Sequence, residues 1–175
     1  MNATAGQRTP LGALAQGLAA GLIGNAIFTG YQLLQSKLAS QGEDSGNDES
    51  PSDWSETPAP AQVGQRVVEG VFQTNVSAQD DAELLTQVTH WAYGTSWGAL
   101  YGLAQETWKP HPLMHGVALT GVVMGVDYTL LPLMNLYGPP WRYPAKTLAK
   151  DFANHLVYGL AVAGAYSALD AIRKP

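Results

Sequence analysis

Four side chains in this sequence combine the chemistry and the spacing to act together. His90 and His155 each stand four residues before a glycine, Gly94 and Gly159, and Asn25 stands four after Gly21, itself four after Gly17. Positions four apart share a helix face, so these polar groups fall on the stripes of smallest residues, where helices approach one another. Asp127 shares a stripe with Thr120 and Gly116, seven and eleven residues back. Two imidazoles and a carboxylate could hold a divalent metal, relay protons, or clasp helices together through Tyr and Thr hydroxyls. No HxxxH, HxxH or ExxH pair occurs within this set, so nothing in the spacing selects a metal. His111 and His115 are four apart, but beside Pro110 and Pro112 they read as turn and helix-start residues. No nucleophile elbow, P-loop or dinucleotide glycine pattern occurs in a suitable context, so no catalytic residue, metal or cofactor is assigned.

The elements that must carry these residues are charge-free stretches. Leu11–Leu34 has no charge over 24 residues, Leu84–Gln105 none over 22 and Phe152–Leu169 none over 18, with histidine counted neutral. His111–Val126 is also charge-free, and its apolar run continues past Asp127 to Leu136. A bilayer core of ~30 Å takes about 20 helical residues. A soluble four-helix bundle would need charged outer faces, which these stretches lack. The expected fold is therefore all-α: a four-span transmembrane bundle with spans at 11–34, 84–105, 113–133 and 152–169. Short tails at 1–10 and 170–175 flank it. The first span has a second reading as a signal peptide, since Arg8 precedes it. Its apolar part is longer than the 7–15 residues usual there, which favours a retained helix.

Counting places the polar residues at one depth. In an up-down bundle His90 lies six residues inside span two, Asp127 six before Leu133, and His155 three past Phe152. All three then sit within ~5–10 Å of the same boundary, with Asn25 a little deeper.

Composition agrees. The chain has 175 residues, only 13% charged, with 19 glycines and a net charge of −5. Residues 35–83 hold 12 of its 23 charges, ten of them acidic. The absence of a basic cluster argues against nucleic acid as a partner. With no cysteine, disulfides and thiolate chemistry are excluded. Mean hydropathy is only −0.07, lowered by the acidic insertion and by Gly, Thr, Ser, Gln and His within the spans. The second span would insert only marginally alone.

Within the insertion, residues 35–60 read as a linker. About 60–73 reads as a short amphipathic helix with Val63, Val67, Val68, Val71 and Phe72 in one stripe. It would lie on the membrane surface, dock on the bundle, or pack as a short core helix. Small residues recur at four-residue spacing in every span: Gly17 and Gly21; Gly94, Gly98 and Gly102; Gly121 and Gly125; Gly159 and Ala163. Such stripes let backbones approach within the bundle or between copies, so a homo-oligomer joins the lipid bilayer as an expected partner. The 134–151 loop is the most distinctive stretch. Pro139, Pro140 and Pro144 forbid regular helix, and Tyr137, Trp141 and Tyr143 suit the headgroup level. It would form a stiff interfacial turn or a lid, with Arg142 reaching lipid phosphate, Asp127 or Asp151. Basic residues number four on one side (Arg8, Lys109, Arg173, Lys174) and five on the other (Lys37, Arg66, Arg142, Lys146, Lys150), which leaves orientation open.

From about His90 to Leu169 the layout resembles the YagU-like family of small bacterial inner-membrane proteins. The residues that carry the likeness are His90 with the span WAYGTSWGALYGL and the run Leu130-Leu131-Pro132-Leu133-Met134-Asn135-Leu136. Gly138-Pro139-Pro140-Trp141 and His155-Leu156-Val157-Tyr158-Gly159 complete it, over roughly 80 of 175 residues. The resemblance implies a multi-pass helical protein of the bacterial cytoplasmic membrane and transfers no catalytic residue. The function expected is a structural or interaction role there. Proton, ion or small-solute translocation through the His/Asp layer is the first alternative, and a membrane-embedded metal enzyme the second.

Overall fold

A computed structural model of the chain describes residues 8–40, 51–108 and 111–173. The described residues form five α-helices and no strands: α1 Pro10–Ser40, α2 Ala59–Val71, α3 Ala78–Thr107, α4 Pro112–Leu133 and α5 Ala145–Arg173. Of the expected 35–60 linker, residues 41–50 lie outside the described residues, as do Lys109 and Lys174 of the charge comparison.

The helices overrun the charge-free stretches because charge does not end a helix. Lys37 is absorbed into the last turn of α1, Asp80 and Asp81 into the first turn of α3, and Lys146 and Lys150 into the start of α5. Termination falls to backbone chemistry instead. Pro10, Pro112 and Pro144 stand at or just before helix starts, where a missing N–H costs nothing. At the end of α4, Asn135 takes the left-handed conformation with φ 57°. The Leu136 N–H bonds the Leu131 carbonyl at 2.9 Å and the Asn135 N–H bonds the Pro132 carbonyl at 3.0 Å, a Schellman cap. The expected 134–151 loop is therefore shortened to 134–144, with a 3-10 turn at Pro140–Arg142. A second short turn, Trp54–Glu56, lies in the insertion, with Asp53 and Glu56 forming a capping box.

Among the described residues three helices, not the four expected, are long and apolar enough to cross a bilayer: Pro10–Ala39, Pro112–Leu133 and Ala145–Arg173. The second expected span falls short on composition rather than length. α3 has 30 residues, but Thr86, Gln87, Thr89, His90, Thr95 and Ser96 dilute it.

The long helices pack in the order α3–α1–α5–α4, and α2 lies on α3. α1 meets α3 through glycine. A Cβ at Gly17 would strike the Gly98 carbonyl, one at Gly98 would strike Gly21, and one at Gly102 would strike the Ala13 carbonyl. Gly159 lies equally close to Thr120 and the Gly116 carbonyl, joining α5 to α4. Gly121 and Gly125 depart from the expected packing, since nothing lies within 4 Å of a Cβ at either. They share a stripe, but it is the outward one.

The interior is small, polar and aromatic, and the surface is apolar. Ala13, Ala20, Asn25, Thr120, Tyr158 and Val162 are buried. Leu18, Leu22, Ile27, Leu33 and Leu34 of α1 are exposed, as are Leu113, Val117, Val122 and Leu130 of α4. Water would penalise that arrangement, whereas lipid tails solvate it.

The Val stripe expected on α2 splits. Ala59, Ala61 and Gly64 form the buried face, while Val67, Val71 and Phe72 stay exposed. Gly64 sits against Leu85 and Thr89 of α3, where the smallest residue brings the helices closest. Arg66 ties α2 to the end of α4 by donating to the Met134 carbonyl at 2.8 Å.

Candidate functional site: a cavity between α3 and α4

α3 and α4 are consecutive in the chain but are not among the closely packed helix pairs. Their seam opens into a cavity of about 380 Å³ at the end where the insertion lies. Asn25 of α1, His90 of α3, Asp127 of α4 and His155 of α5 all line it. Four residues far apart in sequence thus reach one chamber from four different helices.

The centre of the wall is a hydrogen-bonded chain. His155 Nδ1 donates to the carbonyl of Asp151, one turn earlier, at 2.8 Å. A carbonyl can only accept, so this bond fixes the proton on Nδ1 and turns Nε2 toward the cavity. Nε2 lies 3.1 Å from Asp127 Oδ2, and the Tyr93 hydroxyl donates to Asp127 Oδ1 at 2.5 Å. One proton occupies the His155–Asp127 bond. The pair is either imidazolium with carboxylate or imidazole with carboxylic acid, and it carries no net charge in either form. It is also accessible: 27% of the His155 side chain and 20% of Asp127 remain open.

His90 joins the chamber without joining the chain. Its ring stacks on Phe28 at 5.5 Å between centroids, with 15° between planes. Asn25 is 1% exposed. Its amide donates to the Trp91 carbonyl at 3.0 Å and to Thr95 Oγ1 at 3.2 Å, while Oδ1 is buried without a partner. Gly94 is required here, because a Cβ would collide with that amide. No group of three or more His, Asp or Glu side chains able to hold a metal occurs among the described residues.

Tyr93, Tyr128 and Tyr158 were not singled out by sequence as hydrogen-bonding groups. Besides Tyr93, Tyr128 donates to Asp151 Oδ2 at 2.6 Å, and Tyr158 donates to the Gly94 carbonyl. Position alone signalled them: Tyr158 immediately precedes Gly159, and Tyr128 immediately follows Asp127. Of the 134–144 loop, Tyr137 lines the cavity and the Tyr143 hydroxyl accepts from the Gly138 N–H at 3.0 Å. Burial raises the Tyr137 phenol above its ordinary value, which keeps it protonated at neutral pH. Trp141 is 81% exposed. Pro139 and Pro140 frame the 3-10 turn, and Arg142 is exposed and forms no ion pair with Asp127 or Asp151. The loop borders the chamber at Met134 and Tyr137.

A second polar knot closes the opposite end. The Arg8 side chain, 4% exposed, pairs with Asp170, lies 3.8 Å from Glu106, and donates to the Tyr166 hydroxyl at 2.7 Å. Its guanidinium also covers the Tyr166 ring at 5.3 Å. Buried His115 accepts from Gln105 and packs edge-on against Tyr101. The available signal was opposite charge at one boundary, Arg8 before the first span and Asp170 after the last.

Fold and site together define a helical bundle of membrane-protein character with a largely apolar chamber, set with a few polar groups, at one end. No protein-family model, curated protein or solved structure matches the chain.

Proposed function

We propose that the protein binds a small solute in the α3/α4 chamber as a four-span protein of the bacterial cytoplasmic membrane, with His155–Asp127 as its proton-bearing contact. The observation that carries this reading is the chamber itself. Polar residues from four helices line a space of about 380 Å³, and the bonds among three of them leave it open. That is the size of a small-ligand site, largely apolar with a few placed polar groups.

α3 counts as the fourth span on packing. It is clasped by α1 through Gly17, Gly21, Gly98 and Gly102. Its polar residues then face protein or cavity: Thr95 bonds Asn25, and His90 lies on Phe28. A helix too polar to insert alone is accommodated when neighbours cover its polar groups. Membership in the YagU-like family and residence in the inner membrane belong to the same proposal. Contact between copies is assigned to Gly121 and Gly125, because the other stripes are used within the bundle.

One observation favours the structural reading as runner-up. Tyr93, Asp127 and His155 satisfy one another across three helices, which is also what a register clasp would do. Val63 of α2 lines the chamber, so Val63→Trp fills it without touching the chain of bonds. Thermal unfolding of the purified protein with a panel of small amines, alcohols and acids separates the two readings. A solute site predicts that at least one class stabilises the wild type and leaves Val63→Trp unaffected. Silence across the panel would leave the clasp as the function of these residues.

A further inference from the structure

We infer that the chamber selects a small organic cation, a quaternary or protonated amine. This rests on its being a solute site. Every Lys and Arg is absent from the lining, whereas both Asp127 and Asp151 contribute to it. The Asp127 carboxyl and His155 share one proton and sum to zero charge. Asp151 is different. Its Oδ2 accepts from the Tyr128 hydroxyl, and its backbone carbonyl accepts from His155, but no basic side chain pairs with it among the described residues. The lining therefore offers two carboxyl groups, one of them paired with His155, and no Lys or Arg to pair the other.

The walls decide which cation balances it. Phe28, Tyr93, Trp97, Tyr128, Tyr137 and Tyr158 surround the space with aromatic rings. Ring faces attract alkylammonium groups, and the attraction grows when water is excluded. Hard inorganic cations need shells of six or more oxygens, which a wall this rich in carbon does not supply. An anion would meet the uncompensated carboxylate. A neutral apolar solute would fill the volume but leave Asp151 unpaired in a low-dielectric setting, a costly state.

The test uses an isosteric pair, benzyltrimethylammonium and neopentylbenzene, which differ by a quaternary nitrogen in place of carbon. Binding is measured by calorimetry on the full chain in lipid nanodiscs, with empty discs as the reference. The cation should bind at least tenfold more tightly than the hydrocarbon. Asp151→Asn should lose at least tenfold for the cation and leave the hydrocarbon unchanged. Equal affinity for both probes overturns the cation inference and leaves the solute site standing. Failure of both probes while a panel alcohol or acid, and no amine, still stabilises the wild type overturns this inference alone; failure of both with silence across the panel overturns the two together. Because the isostere comparison uses the wild-type protein, it does not depend on the variant folding.

Discussion

His155 and Asp127 share a single proton across a 3.1 Å hydrogen bond, because the Asp151 carbonyl already holds the other imidazole N–H. On the proposed four-span arrangement the pair therefore enters the bilayer without net charge. Membrane interiors oppose isolated charges strongly but tolerate a neutral pair whose remaining lone pairs are bonded.

Asp127→Asn should leave the fold nearly intact. The new amide can donate to a neutral His155 Nε2 and still accept from Tyr93, so stability should fall by no more than about 1 kcal/mol. Asp127→Leu strands both partners and should cost about 2–4 kcal/mol. Thermal unfolding of the two variants in one detergent checks the contrast. Equal losses would mean that the hydrogen bonds contribute little.

Glycine substitutions should separate by position. Gly98→Val drives a side chain into the Gly17 carbonyl and the Gly21 backbone, and should cost about 2–3 kcal/mol. Gly121→Val meets open space and should change monomer stability by under about 0.5 kcal/mol. If both destabilise alike, intrinsic helix propensity rather than close approach governs these stripes.

A spanning α3 places Ser77 and Trp108 on opposite sides of the membrane. The chain has no cysteine, so single substitutions at these positions report without background. An impermeant maleimide should label one of them in intact cells and the other only after permeabilisation. Labelling of both in intact cells would mean that α3 does not cross.

Acid should unwind the Trp54–Glu56 turn. N–H and hydroxyl donation from Ser55 holds the Asp53 carboxyl below its ordinary value, and donation from Ser52 does the same for Glu56. A lowered folded-state value means stabilisation that is present at neutral pH and lost as pH falls through the folded value, below the ordinary carboxylate range of about 4. Amide exchange at Ser55 and Thr57 should accelerate there. Exchange independent of pH, once corrected for intrinsic rates, would show that the capping box is not ionised.

What the sequence made legible follows from which signals are local. Asn25, His90 and His155 were recoverable because each stands four residues from a glycine used in helix packing, a local signal that misled at Gly121 and Gly125. Asp127 stood out as a charge inside an apolar run. The chamber was not recoverable, because it arises from the loose α3/α4 seam, and seam width depends on side chains of two helices at once. Helix ends were misplaced for a physical reason. Absence of charge tracks lipid, while Pro144 and the left-handed Asn135 track backbone, and the two boundaries differ by several residues. Tyr93 and Tyr128 escaped notice because an aromatic ring in a span reads equally as packing. Only their carboxylate partners reveal the hydroxyls as functional groups.

The most direct measurement is the NMR spectrum of histidine-labelled protein in lipid, tractable because the chain holds four histidines. On addition of a solute that raises the unfolding temperature, the His155 ring resonances should shift in the wild type and stay in place in Val63→Trp. Stabilisation by solute with His155 unmoved, or an equal shift in Val63→Trp, would put the binding site somewhere other than the chamber.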